Sequence, residues 1–333
     1  MRLMGSEIRQ DLGGAEIQGL RDEQAFEGVA TDTRQDVEGR LFVALQGENF
    51  DAHDFVQDAV RGGAQGILVR RDTWSRWQGL PVACIAVDDP LAALQKLAHE
   101  SLRRHPAGVI AITGSNGKTT TKDLVAAALA SIGPVYATQG NLNNHIGTPL
   151  TVLARHGRER FVVAEIGAND FGEIEMLSRL LLPQVAVITN VGRAHLERFG
   201  SVQGVLRAKV EIFQGLGDAG LAVLNADDAF LADMRRAAQP RRSITFGFAP
   251  EADYCIEESR DAGGVRLLLA GGGTRHRNHG HQRVAEGEVR DAASMDVLRG
   301  VLLPGEFCRG DGERPASPVS RGRHLRTDAQ GPP

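Results

Sequence analysis

Six apolar runs recur between residues 108 and 248: GVIAITG, PVYATQG, FVVAEIG, VAVITNVG, GLAVLNADD and SITFGF. Their hydrophobic positions are nearly continuous instead of alternating, and helical or loop stretches separate most of them. Such strands are buried on both faces, so the pattern predicts a parallel sheet with helices on each side. Upstream, from Phe26 to Arg71, the β-like runs RLFVAL and GILVRR alternate with the helical pattern DFVQDAVRGG. This predicts a small N-terminal α/β domain ending near Val87. Asp89 followed by Pro90 reads as a helix N-cap with proline in the first turn, and LAALQKLAHESLRR continues as an amphipathic connecting helix. From residue 271 onward the chain is rich in Arg, Gly and Pro and has few apolar positions outside MDVLRGVLLP, so an irregular, largely disordered tail is expected. The expected fold class is therefore α/β: an N-terminal domain over 1–87, a mostly parallel central domain over 88–270 and a divergent tail over 271–333.

A length of 333 residues gives ample core for two or three domains. The net charge of −4 gives no general reason to expect nucleic acid or an anionic membrane as partner. Cys84, Cys255 and Cys308 are few and widely spaced with no CxxC pair, which argues against a disulfide framework or zinc site and for a reducing compartment. The N-terminal stretch lacks an apolar signal core, and no run approaches a membrane span, so a cytoplasmic protein is expected. The lysines are Lys96, Lys118, Lys122 and Lys209 alone, which makes each informative.

In a parallel sheet covered on both faces, ligands sit beyond the carboxyl ends of the strands. The polar residues cluster there: Gly114 to Thr119, Gly140 to Asn144, Glu165, Asn190 to His195 and Asn225 to Asp228. Within AITGSNGKTTTKDL the spacing is GxxGKT, between a strand and a helix. Gly114, Ser115, Asn116 and Gly117 can turn backbone N–H groups toward an anion. Lys118 adds a positive charge, and Thr119, with Thr120 beside it, offers a hydroxyl to Mg²⁺. Glu165 ends the strand FVVAE and can serve as a hard oxygen ligand, as a strand-end salt bridge or as a helix cap. In SVQGVLRAKVEIFQGL the apolar positions Val202, Val205, Leu206, Phe213 and Leu216 trace one stripe, and Lys209 falls on it. A lysine there either snorkels along its stem or is partly buried and aimed at a ligand; burial favours the neutral amine, which can form a carbamate with carbon dioxide. His195 follows VAVITNV and is read either as structural or as part of a second cation site with Lys209. His276, His279 and His281 in RHRNHGHQR are read as a solvated basic loop.

The run TGSNGKTT resembles the ATP loop of the Mur ligase family. TQGNLNNHIGTPLTVL, EIGANDFGEI, ITNVGRAHLERFGS, AKVEI and LNADD resemble, in order, segments of the member that adds D-alanyl-D-alanine. TDTRQDVEGRLFVALQGENFDAHDF resembles that member's UDP-binding module, with Ala52 where the family usually has glycine. The resemblance covers roughly residues 25 to 268. It implies an ATP-dependent ligase that phosphorylates the terminal carboxylate of UDP-N-acetylmuramoyl-tripeptide and passes the acyl group to D-alanyl-D-alanine. It also implies ATP on Gly114 to Thr120, one Mg²⁺ on Thr119 and Glu165, and a second on His195 and carbamylated Lys209. Asn225, with Asp228 as a weaker candidate, would read adenine. Thr33 and Arg34 would face the uridine diphosphate, and Asn141, Asn143 and Asn144 the muramoyl peptide. A monomer is expected. The family's glycine-histidine-asparagine segment and closing C-terminal domain are not recognisable after RLLLAGG, so impaired turnover is expected. Another Mur-type ligase and a non-catalytic nucleotide- or UDP-precursor-binding remnant are the alternatives.

Overall fold

A computed structural model describes residues 2–47, 50–261 and 264–271, with side chains through Cys255. Apart from Gly271, the expected tail, with its three histidines and Cys308, lies outside the described residues.

The N-terminal part begins with strand β1 (Leu3–Met4), helix α1 (Gly5–Asp11), β2 (Glu16–Gln18), β3 (Ala25–Phe26), β4 (Val29–Ala30) and β5 (Leu41–Val43). Helix α2 (Val56–Arg61), β6 (Gly66–Arg70) and β7 (Ala83–Val87) complete it. β1 pairs with β3, and the five-stranded sheet runs β2-β7-β6-β5-β4, parallel except for β2 against β7. Both expected strands form. The expected helical stretch divides into a tight 3₁₀ turn at Ala52–Phe55 and α2. The short edge strands β1 to β4 carry too few residues for any periodic signal and were not foreseen.

Helix α3 (Pro90–Arg104) connects the two sheets. Asp89 caps it as expected, its side chain accepting from the Leu91 and Ala92 amides at 2.8 and 3.1 Å. The central part then runs β8 (Gly108–Thr113), α4 (Lys118–Ala130), β9 (Val135–Ala137), α5 (Gly147–Leu153), β10 (Phe161–Glu165), α6 (Glu173–Leu181) and β11 (Val185–Ile188). It continues with α7 (Leu196–Phe199), α8 (Val202–Val210), β12 (Leu221–Asn225), α9 (Leu231–Ala238), β13 (Arg242–Gly247), β14 (Tyr254–Asp261) and β15 (Gly264–Gly271). All six apolar runs are strands. The sheet order is β15-β14-β13-β12-β11-β8-β10-β9, parallel throughout except for β14 against β15.

Successive side chains of a strand point to opposite faces, and here each face has its own core. Val109, Ala111, Val162, Ala164, Ala186 and Ile188 belong to a cluster with Leu94, Leu97, Val152, Ile174 and Leu177 of α3, α5 and α6. Ile110, Ile112, Val163, Val185 and Val187 belong to another, closed by Leu129 and Val125 of α4. This two-sided burial accounts for the unbroken apolar runs.

Register fixes where function can sit. Glu165 lies opposite Ile112, Ile188 opposite Thr113, and Leu224 opposite Ile188. The carboxyl ends of β8, β10, β11 and β12 therefore finish in one row. The chain fills one side of β8 with β10 and β9, then crosses to the other side with β11, so the row contains a topological switch point.

Candidate functional site

The loop after β8 shows why two glycines stand where they do. Gly114 adopts φ +151°, and a Cβ there would meet Thr189 Oγ1 at 1.9 Å. The loop can therefore close against the end of β11 only without a side chain. Gly117, at φ +77° in the left-handed region, turns the chain into α4 with no side chain capping the helix. The first amides of α4 are left free to face an anion, where the helix dipole also favours negative charge. Lys118 bends back so that Nζ donates to the Gly114 carbonyl at 3.0 Å.

Residues after β11 hold this loop in shape. Asn190 Oδ1 accepts from the Asn116 amide at 3.0 Å, and the Asn190 carbonyl accepts from the Ser115 amide at 3.0 Å. Thr189 Oγ1 donates to the Asn116 carbonyl at 2.6 Å, and Ser115 Oγ accepts from the Gly192 amide at 2.8 Å. The loop is thus held by hydrogen bonds from the chain itself.

Glu165, 3% exposed, occupies the end of β10. Its Oε2 accepts from Thr119 Oγ1 at 2.7 Å and its Oε1 from Asn143 Nδ2 at 2.8 Å. A carboxylate and a hydroxyl within hydrogen-bond distance at the mouth of a phosphate-type loop form a hard oxygen donor set, which fits Mg²⁺. Among the described residues, no group of three or more His, Cys, Asp or Glu could hold a metal ion. A cation here would complete its coordination from ligands other than such side chains.

Lys118, His195 and Lys209 line one cleft of about 230 Å³ together with Asn141, Asn143 and Asn144. Lys209 is 2% exposed, near the end of α8, with Val205, Ala208, Ile212 and Phe213 all buried around it. Burial is the main cause that lowers its pKa from 10.5 to about 8; repulsion from Lys118 adds to this and Glu211 partly offsets it. Helix α8 stops at Val210 and tightens into a 3₁₀ turn at Glu211–Gln214, which still buries Phe213 from the expected stripe. Glu211 accepts from the amides of Gly172 at 2.9 Å and Glu175 at 3.4 Å, at the start of α6. Its own pKa is raised, chiefly by burial. His195 precedes α7 in the left-handed conformation at φ 50° and is exposed. Glu173 and Asn169 also line the cleft. Sequence reasoning passed over them, although both lie in the segment GANDFGEI.

The remaining expected residues are placed as follows. Asn144 Oδ1 accepts from the Ile146 and Gly147 amides at 3.1 and 2.8 Å, which starts α5. Asn225 donates from Nδ2 to the Thr189 carbonyl at 3.0 Å and accepts from the Asp227 amide at 2.9 Å, so both ends of its amide have backbone partners. Asp228 accepts from the Val191 amide at 2.6 Å. Both side chains brace the segment between β11 and His195. Thr120 is exposed on the first turn of α4. Thr33 and Arg34 follow β4, far along the chain from the cleft residues. The exposed Arg34 guanidinium grips Asp32 at 2.7 to 3.1 Å, and that bond holds the Asp32 carboxyl below its ordinary range.

Among the described residues, no helix is long and apolar enough to cross a membrane. The family model of the Mur ligase middle domain matches residues 112–272. The UDP-N-acetylmuramoyl-tripeptide–D-alanyl-D-alanine ligase of Bacillus subtilis (strain 168) is 41% identical over 254 residues, covering 75% of this chain and 54% of that protein. The enzyme of the same name from Escherichia coli (strain K12) is 44% identical over 218 residues, covering 66% and 47%. A crystal structure of MurF from Acinetobacter baumannii superposes with a TM-score of 0.71 at 32% identity, covering 81% of this chain and 60% of that one. MurF ligase from Thermotoga maritima in complex with ADP gives 0.65 at 32% identity, covering 73% and 56%. The chain spans about half the length of the curated relatives it matches.

Proposed function

The chain belongs to the Mur ligase family, and from that premise we propose that it is of the type that joins D-alanyl-D-alanine to UDP-N-acetylmuramoyl-tripeptide at the expense of ATP. The observation that carries this reading is one cleft lined by Lys118, His195 and Lys209, into which Asn143 ties the Thr119–Glu165 pair. Two anions, a triphosphate and a carboxylate, must meet for an acyl phosphate to form, and a site that sets the Lys118 charge beside oxygen donors able to hold Mg²⁺ suits that encounter.

Residues 1–87 are assigned to the UDP end of the substrate, with Thr33 and Arg34 facing the diphosphate, and residues 88–270 to ATP. The amides of Gly114 to Thr120 and the Lys118 ammonium would hold the β- and γ-phosphates. The loop opened by Asn225 would flank adenine. Asn141, Asn143 and Asn144 would orient the muramoyl peptide. Thr119 and Glu165 would hold one Mg²⁺; His195 and a carbamate on Lys209 would hold a second. Bound there, magnesium supplies charge neutralisation between the phosphates and the incoming carboxylate. The carbamate forms when the neutral Lys209 amine adds to carbon dioxide and releases a proton. A carboxylate oxygen of the peptide takes the γ-phosphoryl group and ADP leaves. The dipeptide amine then attacks the acyl carbon, loses a proton and expels phosphate. We assign the protein to the cytoplasm as a monomer.

A second reading, for the 333-residue polypeptide assayed alone, is nucleotide and UDP-precursor binding with little turnover. Phosphate release from ATP with UDP-muramoyl tripeptide, with and without D-alanyl-D-alanine, separates the two. Dipeptide-dependent release supports the full ligase, and binding without release supports the second reading. Failure to bind either nucleotide or UDP-precursor rejects both.

A further inference from the structure

Lysines 118 and 209 have a place in the proposed chemistry, and Lys122 does not. Yet Lys122 is 5% exposed, one helical turn beyond Lys118 on α4. Its Nζ donates to the Thr138 carbonyl at 2.9 Å and lies 2.8 Å from Asp123 Oδ1. Burying an ammonium costs several kcal/mol before its partners repay it, and an apolar side chain of the same length would fill this space more cheaply. Packing alone therefore does not explain a lysine here.

Thr138, 1% exposed, is clamped to β10 on both sides of Ala164: its amide donates to the Val163 carbonyl at 3.0 Å, and its Oγ1 accepts from the Glu165 amide at 3.0 Å. Five residues on, Asn143 donates to Glu165 Oε1. On α4, Thr119, three residues before Lys122, donates to Glu165 Oε2. These bonds form a ring through α4, the loop after β9 and the end of β10. The Lys122 bond to Thr138 joins helix and loop directly, without passing through the carboxylate.

We propose that Lys122 is a positioning residue: by fixing the Thr138–Asn143 loop to the phosphate helix, it sets the Glu165 carboxylate and its asparagine partner relative to Thr119. This rests on the nucleotide reading above. Lys122 acts through Thr138 and Glu165 and touches no reacting atom. Its loss should therefore alter how Glu165 meets a cation while leaving the anion-binding amides of Gly114 to Thr119 in place.

The test is calorimetric titration of ADP, with and without Mg²⁺, into the 333-residue chain as wild type, Lys122→Met, Thr138→Val and the double variant, with thermal unfolding recorded for each. Magnesium-free ADP affinity should stay within about twofold of wild type in every variant. The affinity gain that Mg²⁺ confers should fall roughly five- to tenfold in each single variant, and no further in the double, because both act in one ring. A lysine that merely stabilises the core would lower the melting temperature and leave the magnesium gain untouched, which overturns the proposal; so does an equal loss with and without Mg²⁺. Should Lys122→Met fail to fold, Thr138→Val decides, since it keeps Lys122 and its carbonyl acceptor, and an unchanged magnesium gain there also overturns it. A wild-type chain that binds no ADP at all refutes the nucleotide reading, and this inference with it.

Discussion

Replacing Lys209 with methionine should stabilise the fold at neutral pH. Lys209 is 2% exposed, and its pKa falls from 10.5 to about 8, mainly through burial. Each tenfold change in proton affinity is worth ~1.4 kcal/mol, so at pH 7 the buried ammonium costs the folded chain ~3 kcal/mol. The folded-state value lies below the unfolded one. The folded chain therefore holds fewer protons between about pH 8 and 10.5, and its stability from this group rises with pH through that window. Below about pH 8 the penalty is present in full. Methionine keeps the length and apolar stem and removes the charge, so Lys209→Met should exceed wild type by ~3 kcal/mol at pH 7, with the gap shrinking to under ~1 kcal/mol by pH 10. Urea unfolding of both proteins in carbon-dioxide-free buffer at the two pH values measures this, and comparing the variants cancels titrations they share. Equal stability at pH 7, or a gap that does not change with pH, would mean that the ammonium is solvated and that the cleft lysine is not primed for carbamate chemistry.

Gly114→Ala would drive a Cβ to 1.9 Å from Thr189 Oγ1 and hold alanine at φ +151°. It should lower stability by ~2 kcal/mol or more and abolish ADP binding, read by thermal unfolding and calorimetry. Asn143→Leu removes the donor to Glu165 Oε1; ADP affinity without metal should hold, while magnesium-dependent affinity falls by roughly tenfold, since a charge-assisted hydrogen bond contributes ~1.5 kcal/mol or more. Native mass spectrometry in bicarbonate buffer should show one added carbon dioxide on the wild type and none on Lys209→Met.

Several parts of this architecture are readable from the chain alone because two independent signals agree. The runs that form β8, β10, β11 and β12 are nearly continuous since both of their faces carry core, as the split of Val109 and Ala111 from Ile110 and Ile112 shows. The turn at Gly114 to Lys118 was legible from glycine spacing between strand and helix, and buried Lys209 from its place on an apolar stripe. β14 and β15 were not: they follow the six apolar runs and pair as an edge hairpin, whose register no periodicity reveals. The role of Lys122 was hidden for another reason. Its i, i+4 spacing from Lys118 puts the two on one helix face, but its partner is a backbone carbonyl, which carries no residue identity. Asn225 and Asp228 were recognised as strand-end polar residues, yet their hydrogen bonds to the Thr189 carbonyl and the Val191 amide depend on the β11–β12 pairing.

Whether these strand ends meet on the phosphates of a nucleotide is decided by a crystal structure of the chain grown with ADP and Mg²⁺. The β-phosphate should sit on the amides between Gly114 and Thr119 within reach of Lys118, with the metal between Thr119 and Glu165. Phosphates bound elsewhere on the molecule, with Lys118 still folded onto the Gly114 carbonyl and Glu165 still paired to Thr119, would contradict it.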